Sequence, residues 1–200
     1  MTQYVADNQL FPVFLQLNQL HTLLVGGGNV ALEKLTALLG NSPQATITIV
    51  AKEINPSVRA FIVDYPSVQL HERAFEDKDL DNVHLVVVAS NNPNLNEHIH
   101  KESRKRLKLI NVADKPDLCD LYLGSIVKKG NLKLGISTNG KSPTIAKRIK
   151  ELLNEALPEE IDETLTYMSQ LRDMLKGDFT DKVRELNAHT AALIASKDKS

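Results

Sequence analysis

The stretch HTLLVGGGNVA, residues 21–31, decides the fold. A short apolar run, His21 to Val25, leads at once into three glycines, and a helical pattern opens behind them over about 29–39. Gly26, Gly28 and Ala31 fill a G-x-G-x-x-A spacing. In such a loop the first glycine permits the tight turn, the second lets a pyrophosphate approach the backbone, and the small third residue lets helix and strand pack closely. The N–H groups and dipole of a helix beginning near Asn29 would receive the phosphates. Outward from this loop, TITIV at 46–50, SVQLH at 67–71, HLVVVA at 84–89 and KLINV at 108–112 read as further strands. Helices are expected at 55–63 and at 93–106, the latter opened by Asn92-Pro93. The strands are mostly continuous apolar runs, as a parallel sheet covered on both faces requires. Their alternation with helices predicts an α/β fold, a Rossmann-like doubly wound parallel sheet. The segment FPVFLQL at 11–17 is expected to pair back as a short hairpin or edge strand.

Beyond residue 113 the pattern changes. LYLGSIV at 121–127 and NLKLGIS at 131–137 flank Lys128-Lys129-Gly130, which predicts a β-hairpin. Ser142 suits a helix N-cap and Pro143 the first helical position. Ile145, Ile149, Leu152, Leu153 and Ala156 then share one helical face before Pro158. Helical pattern continues through Ile161, Leu165, Met168, Leu171 and Leu175, breaks near Gly177, and resumes at Val183, Leu186, Leu193 and Ile194. The expected division is a dinucleotide-binding domain over 1–112, a hairpin-and-helix segment over 113–150 and a small helical unit over 151–200.

Composition narrows the function. The 200 residues carry 24 Lys plus Arg against 25 Asp plus Glu, a formal charge of −1. That balance argues against broad binding to nucleic acid or to an anionic membrane, and the absence of Trp removes one kind of stacking platform. The lone Cys119 cannot form an intrachain disulfide, and no Cys and His spacing resembles a zinc site. No signal-peptide pattern and no apolar run of membrane-spanning length is present, so a cytoplasmic location is expected. His98 and His100 are two apart on a predicted helix and cannot chelate from one face, while His71 and His84 fall in predicted strands and read as buried imidazoles. No metal-ligand set is assigned.

The ends of the predicted strands supply candidate site residues. After the second strand an acid normally holds the adenosine ribose; Val50 stands near that place, Glu53 lies slightly beyond it, and Lys52 is the alternative partner for a 2′-phosphate. The choice made on this basis is NAD. Ser90, in Ala89-Ser90-Asn91-Asn92 after the fourth strand, lies where a nicotinamide half would pass, or serves a capping turn. Asp114 follows the fifth strand, where a carboxylate can take a proton while a nicotinamide takes hydride, or can simply close a turn.

Taken in order, Gly26-Gly27-Gly28-Asn29-Val30-Ala31, Asn111-Val112-Ala113-Asp114, Ser125-Ile126-Val127 and Ile136-Ser137-Thr138-Asn139-Gly140-Lys141-Ser142-Pro143, with Ala146 behind them, resemble the siroheme synthase family. The likeness is to its precorrin-2 dehydrogenase and sirohydrochlorin ferrochelatase portion and runs from about Leu10 to Leu175. With no methyltransferase pattern following, the chain looks like the stand-alone form. The resemblance implies oxidation of precorrin-2 to sirohydrochlorin with NAD, a ferrochelatase step that takes Fe2+, and a homodimer in which 113–150 is the dimerisation segment. It implies backbone contacts to NAD at Asn29 and Val30, a second cofactor-contacting pair at Lys52 and Glu53, and a catalytic role for Asp114. Thr138 stands where some relatives carry a phosphorylated serine.

The residues agree with such a substrate. A macrocycle with eight carboxylates needs local cations and free N–H donors rather than a basic protein. Lys115 beside Asp114, and Thr138, Lys141 and Ser142 at the start of the helix that carries Lys147 and Arg148, are the candidates for binding it. Two competing readings are weighed. A non-catalytic dinucleotide-sensing regulator would need a nucleic-acid-reading element, for which the basic stretch Lys101–Lys108 is the one cluster. A dehydrogenase of small hydroxy acids would need a second substrate domain, larger than the helical tail.

Overall fold

The computed structural model describes residues 8–175 and 179–194. Chain contacts divide them into two compact units, one running to Gly124 and taking in Asn139–Lys141, the other comprising Ser125–Thr138 and the chain from Ser142 onward.

In the first unit five parallel strands, β1 (His21–Val25), β2 (Thr46–Ala51), β3 (Val68–Glu72), β4 (Leu85–Val88) and β5 (Leu109–Val112), form one sheet in the order β3-β2-β1-β4-β5. The helices α1 (Asn29–Asn41), α2 (Pro56–Ile62) and α3 (Pro93–Lys105) alternate with them. This is the doubly wound arrangement expected from the apolar runs. Strand geometry sends successive side chains to opposite faces, and both faces here are covered. Leu24, Leu85 and Val87 join Leu35, Leu39, Ile47 and Val58 in one buried cluster, while Leu23, Val86 and Val88 join Ile99, Ile110 and Val112 in the other. The strand order places a reversal between β1 and β4, which leave the sheet's middle in opposite directions. In such sheets ligands bind in the crevice beyond the carboxyl ends at that reversal.

The helix starts follow their caps. The Asn55 side chain accepts from Ser57 N–H at 2.8 Å and the Asn92 side chain from Leu95 N–H at 3.2 Å, with proline at the start of both helices. Each such cap stabilises its helix by about 1 kcal/mol. The chain before β1 departs from expectation. Residues 11–16 form no strand, and Phe11, Val13 and Phe14 are exposed, with only Leu17 reaching the core. Pro12 has no N–H to give a ladder, which disfavours pairing there. His71 and His84 are exposed rather than buried, because His71 lies on the edge strand β3 and His84 precedes β4; His84 Nδ1 accepts from the His21 N–H at 3.0 Å.

In the second unit β6 (Ser125–Lys129) and β7 (Leu132–Ile136) form an antiparallel hairpin, followed by α4 (Pro143–Ala156), α5 (Ile161–Met174) and α6 (Phe179–Ile194). The hairpin is shorter than expected. Leu121 and Leu123 pack against the apolar cluster of the first unit instead of extending β6. Lys128 and Lys129 lie in the strand, and the turn is Gly130-Asn131, with Gly130 at φ +55°. Asp162, in the first turn of α5, accepts from the Asn131 N–H at 2.7 Å and from its side chain at 2.8 Å, which holds its carboxyl below the usual carboxylate value. A Cβ on Gly130 would overlap that Asp162 side chain. Lys129 pairs with Glu159 beside it.

Ser142 caps α4 as expected, accepting from Ile145 N–H at 3.2 Å. Among the described residues the apolar face assigned to α4 is not a core face. Ala146 is buried, but Ile145 is 49 %, Ile149 37 % and Leu152 62 % exposed. The expected break at Gly177 lies outside the described residues, as do the side chains of Leu193 and Ile194. Among the described residues no helix is long and apolar enough to cross a membrane.

Candidate functional site

Site residues of the first unit gather at the carboxyl edge of its sheet. The glycine loop follows β1, and its three glycines meet different surroundings. Gly26 has φ +131°, and a Cβ there would overlap the Ala89 carbonyl oxygen. A Cβ on Gly27 would overlap the Glu53 carbonyl oxygen and press on Ile54 and Ala51. Gly28 has nothing within 4 Å of the place a Cβ would take. The first two glycines are thus required by the protein's own backbone, while the third faces open space, the room a pyrophosphate needs to come close. Gly27 was not singled out by spacing, because the carbonyl that crowds it belongs to a turn far along the chain.

Gly28 is also the N-cap of α1. It supplies no side-chain cap, and no acid stands in the first helical turn. The N–H groups at Asn29, Val30 and Ala31 therefore carry the helix's positive end with no acid in that turn to neutralise it. Both observations fit a dinucleotide phosphate. The turn after β2 is fastened to this loop: Asn55 N–H donates to the Gly27 carbonyl at 2.8 Å, and the Asn55 amide donates to Asn29 Oδ1 at 3.1 Å. Lys52 and Glu53 are exposed in that turn, while Val50 is fully buried in the sheet. Glu72, at the end of β3, braces the turn by accepting from Ile54 N–H at 3.2 Å and pairing with Arg59 at 2.5 Å.

Ser90 follows β4. Its hydroxyl accepts from Asn92 N–H at 3.1 Å and its carbonyl from the Asn96 amide at 2.9 Å. The turn reading of this segment is therefore realised. Asp114 sits beyond β5 on a left-handed turn, φ +57°, and is exposed. Cys119 closes the loop around it. Its Sγ accepts from Val112 N–H at 3.2 Å, and its proton has the Val112 and Lys115 carbonyls, each at 3.2 Å, as acceptors. Burial pushes the Cys119 thiol up, so it remains protonated and acts as a clip rather than a nucleophile. Asp114 and Lys115 line a cavity of about 400 Å³ together with Pro93, Asn96, Glu97 and Asp117.

Asn96 is the residue that the sequence reading missed. Only 4 % exposed on the inward face of α3, it is among the residues around this cavity, and its Oδ1 is shut off from solvent without a hydrogen-bond partner. The available signal was a polar residue at the helical spacing of Ile99 and Ser103.

In the second unit, Thr138 Oγ1 donates to the Ser142 carbonyl at 3.1 Å and accepts from Ser142 N–H at 3.3 Å. Asn139 and Gly140, at φ +53° and +73°, make the turn between them. Both hydroxyls thus build the loop and the start of α4. Lys141 is exposed. The basic stretch Lys101–Lys108 is largely neutralised inside the first unit: Arg104 pairs with Asp120, and Lys105 and Arg106 pair with Glu102. These two hydrogen-bonded cations hold the Glu102 carboxyl down at about 2. Among the described residues no group of three or more His, Cys, Asp or Glu side chains is placed to hold a metal ion.

The glycine loop and the Asp114 turn lie within a family match. Residues 13–125 fit the family described as putative NAD(P)-binding, and residues 129–156 fit the one described as sirohaem biosynthesis protein central. The chain belongs to the siroheme synthase family. Its cofactor class is accordingly a nicotinamide dinucleotide. The siroheme synthase of Pseudoalteromonas atlantica is 32 % identical over 171 residues, 86 % of this chain and 36 % of that one. The siroheme synthase of Baumannia cicadellinicola is 34 % identical over 168 residues, 84 % of this chain and 36 % of that one. This family member thus spans about a third of the length of those relatives. Among solved structures, one titled SirC, precorrin-2 dehydrogenase, matches with a TM-score of 0.69 and 26 % identity, covering 90 % of this chain and 88 % of that one.

Proposed function

We propose that this protein is a precorrin-2 dehydrogenase, oxidising precorrin-2 to sirohydrochlorin with NAD in siroheme biosynthesis. The observation that carries the reading is the Asp114 turn. A carboxylate fixed on a left-handed backbone lines a cavity at the same carboxyl edge of the sheet as the glycine loop. The solved relative titled a precorrin-2 dehydrogenase and the curated relatives named siroheme synthases support it.

When bound, the dinucleotide accepts a hydride. The chain's own part is to seat the phosphates over Gly28 and the N–H groups of α1, and to take the proton released from the neighbouring carbon at the Asp114 carboxylate. Lys115, on the same cavity, offsets the negative charge of an anionic substrate. Thr138, Lys141 and Ser142 are assigned to the substrate's carboxylates, the two hydroxyls by shaping the start of α4 and Lys141 by its charge. Exposed Glu53 after β2 supports NAD as the ribose-binding choice, with Lys52 beside it as the group a 2′-phosphate would use.

Insertion of Fe2+ as a substrate into sirohydrochlorin is a second step of this reading. The exposed apolar face of α4 supports a homodimer, and siroheme synthesis supports a cytoplasmic location. Nothing observed favours the regulatory alternative, since the basic stretch it would use is internally paired.

Incubating the purified protein with precorrin-2 and NAD+ should produce NADH and the sirohydrochlorin spectrum, and Fe2+ added afterwards should give siroheme. No NADH and no spectral change would remove the proposal. An Asp114→Ala variant should lose about 100-fold or more in turnover, the usual contribution of a positioned acid or base; full turnover would reassign the proton acceptor.

A further inference from the structure

The turn after β2 is gripped from two sides. On one side the Glu53 carbonyl oxygen stands where a Cβ on Gly27 would go, and Asn55 N–H donates to the Gly27 carbonyl at 2.8 Å. On the other side lies the end of β3, where Glu72 is the register partner of Ala51. One oxygen of the Glu72 carboxylate accepts from Ile54 N–H at 3.2 Å, and the other pairs with the Arg59 guanidinium at 2.5 Å. A single carboxylate therefore separates that guanidinium from the backbone that carries Lys52 and Glu53. The Arg59 and Glu72 side chains are 47 % and 46 % exposed, so a molecule lying on the turn can reach both.

In doubly wound sheets the adenosine ribose of a dinucleotide lies at the end of the second strand, and NADP differs from NAD by a 2′-phosphate there, which an arginine accommodates. A guanidinium offers carboxylate and phosphate the same fork of N–H groups, so the one excludes the other. The turn and its brace hold two cations, Lys52 and Arg59, against two carboxylates, Glu53 and Glu72. A 2′-phosphate arriving here would have to part Arg59 from Glu72 and then stand beside the carboxylate it displaced.

We propose that Glu72 is a specificity-determining residue, which withholds the Arg59 guanidinium from a 2′-phosphate and so selects NAD over NADP. The inference rests on the proposed use of a dinucleotide and names what sets its kind. Because Glu72 is also bonded to Ile54 N–H, the cation is held at a fixed place beside the turn rather than left to swing toward the ligand.

The test is a set of binding titrations on the intact chain. Wild type, Glu72→Gln and the double variant Glu72→Gln with Arg59→Gln are each titrated with NAD+ and NADP+. The result is read as the ratio of the two dissociation constants, in which a general loosening of the fold cancels. Wild type should bind NAD+ more tightly. Glutamine at 72 keeps an oxygen for Ile54 N–H but offers Arg59 no charge, so the preference for NAD+ should fall about tenfold, the effect of one charge released within reach of a phosphate. Removing the guanidinium in the double variant should restore the preference. Equal affinity of wild type for the two dinucleotides, an unchanged ratio in Glu72→Gln, or a gain that persists in the double variant overturns the proposal. Where Glu72→Gln fails to fold, Arg59→Gln replaces it: the carboxylate left unpaired should weaken NADP+ relative to NAD+ by at least about threefold, and an unchanged ratio overturns the proposal. Wild type that binds NAD+ without turning over precorrin-2 would defeat the proposed activity and leave the ratios to decide the role of Glu72, whereas wild type that binds neither dinucleotide would defeat both.

Discussion

Replacing Gly27 by alanine drives a methyl group into the Glu53 carbonyl oxygen, and the backbone must shift to admit it. The expected cost is about 1–3 kcal/mol of stability, read as a lower urea midpoint. Gly28→Ala meets nothing within 4 Å, so its stability should stay within about 1 kcal/mol of wild type while its dinucleotide affinity drops at least about tenfold. An equal loss of stability in both variants would show that the third glycine serves the fold and not a ligand. The fingerprint itself was legible in the sequence, since the spacing of Gly26, Gly28 and Ala31 is local. What was not legible is which glycine the protein needs for itself, because that depends on Glu53 and Ala89, carbonyls brought in by the sheet. Asp114 was placed correctly at the carboxyl edge, but its left-handed turn and the Cys119 clip depend on side-chain hydrogen bonds that no spacing encodes. Asn96 was hidden for the opposite reason: a polar residue on a helix reads as solvated until the helix's inner face is known.

Elements were easier to read than their edges. The five parallel strands announced themselves as apolar runs because both faces of the sheet are covered, and the helices by Asn92, Ser142 and the prolines after them. FPVFLQL has the apolar content of a strand but lacks the N–H at Pro12. Leu121 and Leu123 look like hairpin residues and serve another core. At the end of α3, Glu102 binds Lys105 and Arg106 and is held at about 2, below its ordinary value of 4.5. A depressed carboxyl contributes stability that is fully present above its unfolded value and is lost as pH falls through the folded one. Wild type should therefore lose stability between about pH 4.5 and 2 more steeply than Glu102→Gln, measured by urea unfolding across that range. Parallel curves would mean that the pair is screened by solvent and contributes nothing.

For the molecule as a whole, a charge of −1 is no bar to the anionic substrate proposed above, because N–H groups and lysines act locally where net charge does not. The face of α4 was read from its period and found uncovered, with Leu152 62 % exposed. Under the homodimer proposal, Leu152→Lys should shift the sedimentation coefficient toward that of a monomer while leaving dinucleotide binding to the first unit intact; an unchanged dimer would place the contact elsewhere. The sheet order has one further consequence, for synthesis. Thr22 of the central strand β1 pairs with Leu85 of β4, so one edge of β1 has no partner until the chain beyond β4 has left the ribosome. Closing so long a loop before the pairing is rewarded makes folding slow. Through that interval the central strand of the nascent chain, with the glycine loop at its tip, is open to chaperones, and the dinucleotide has no finished crevice to enter.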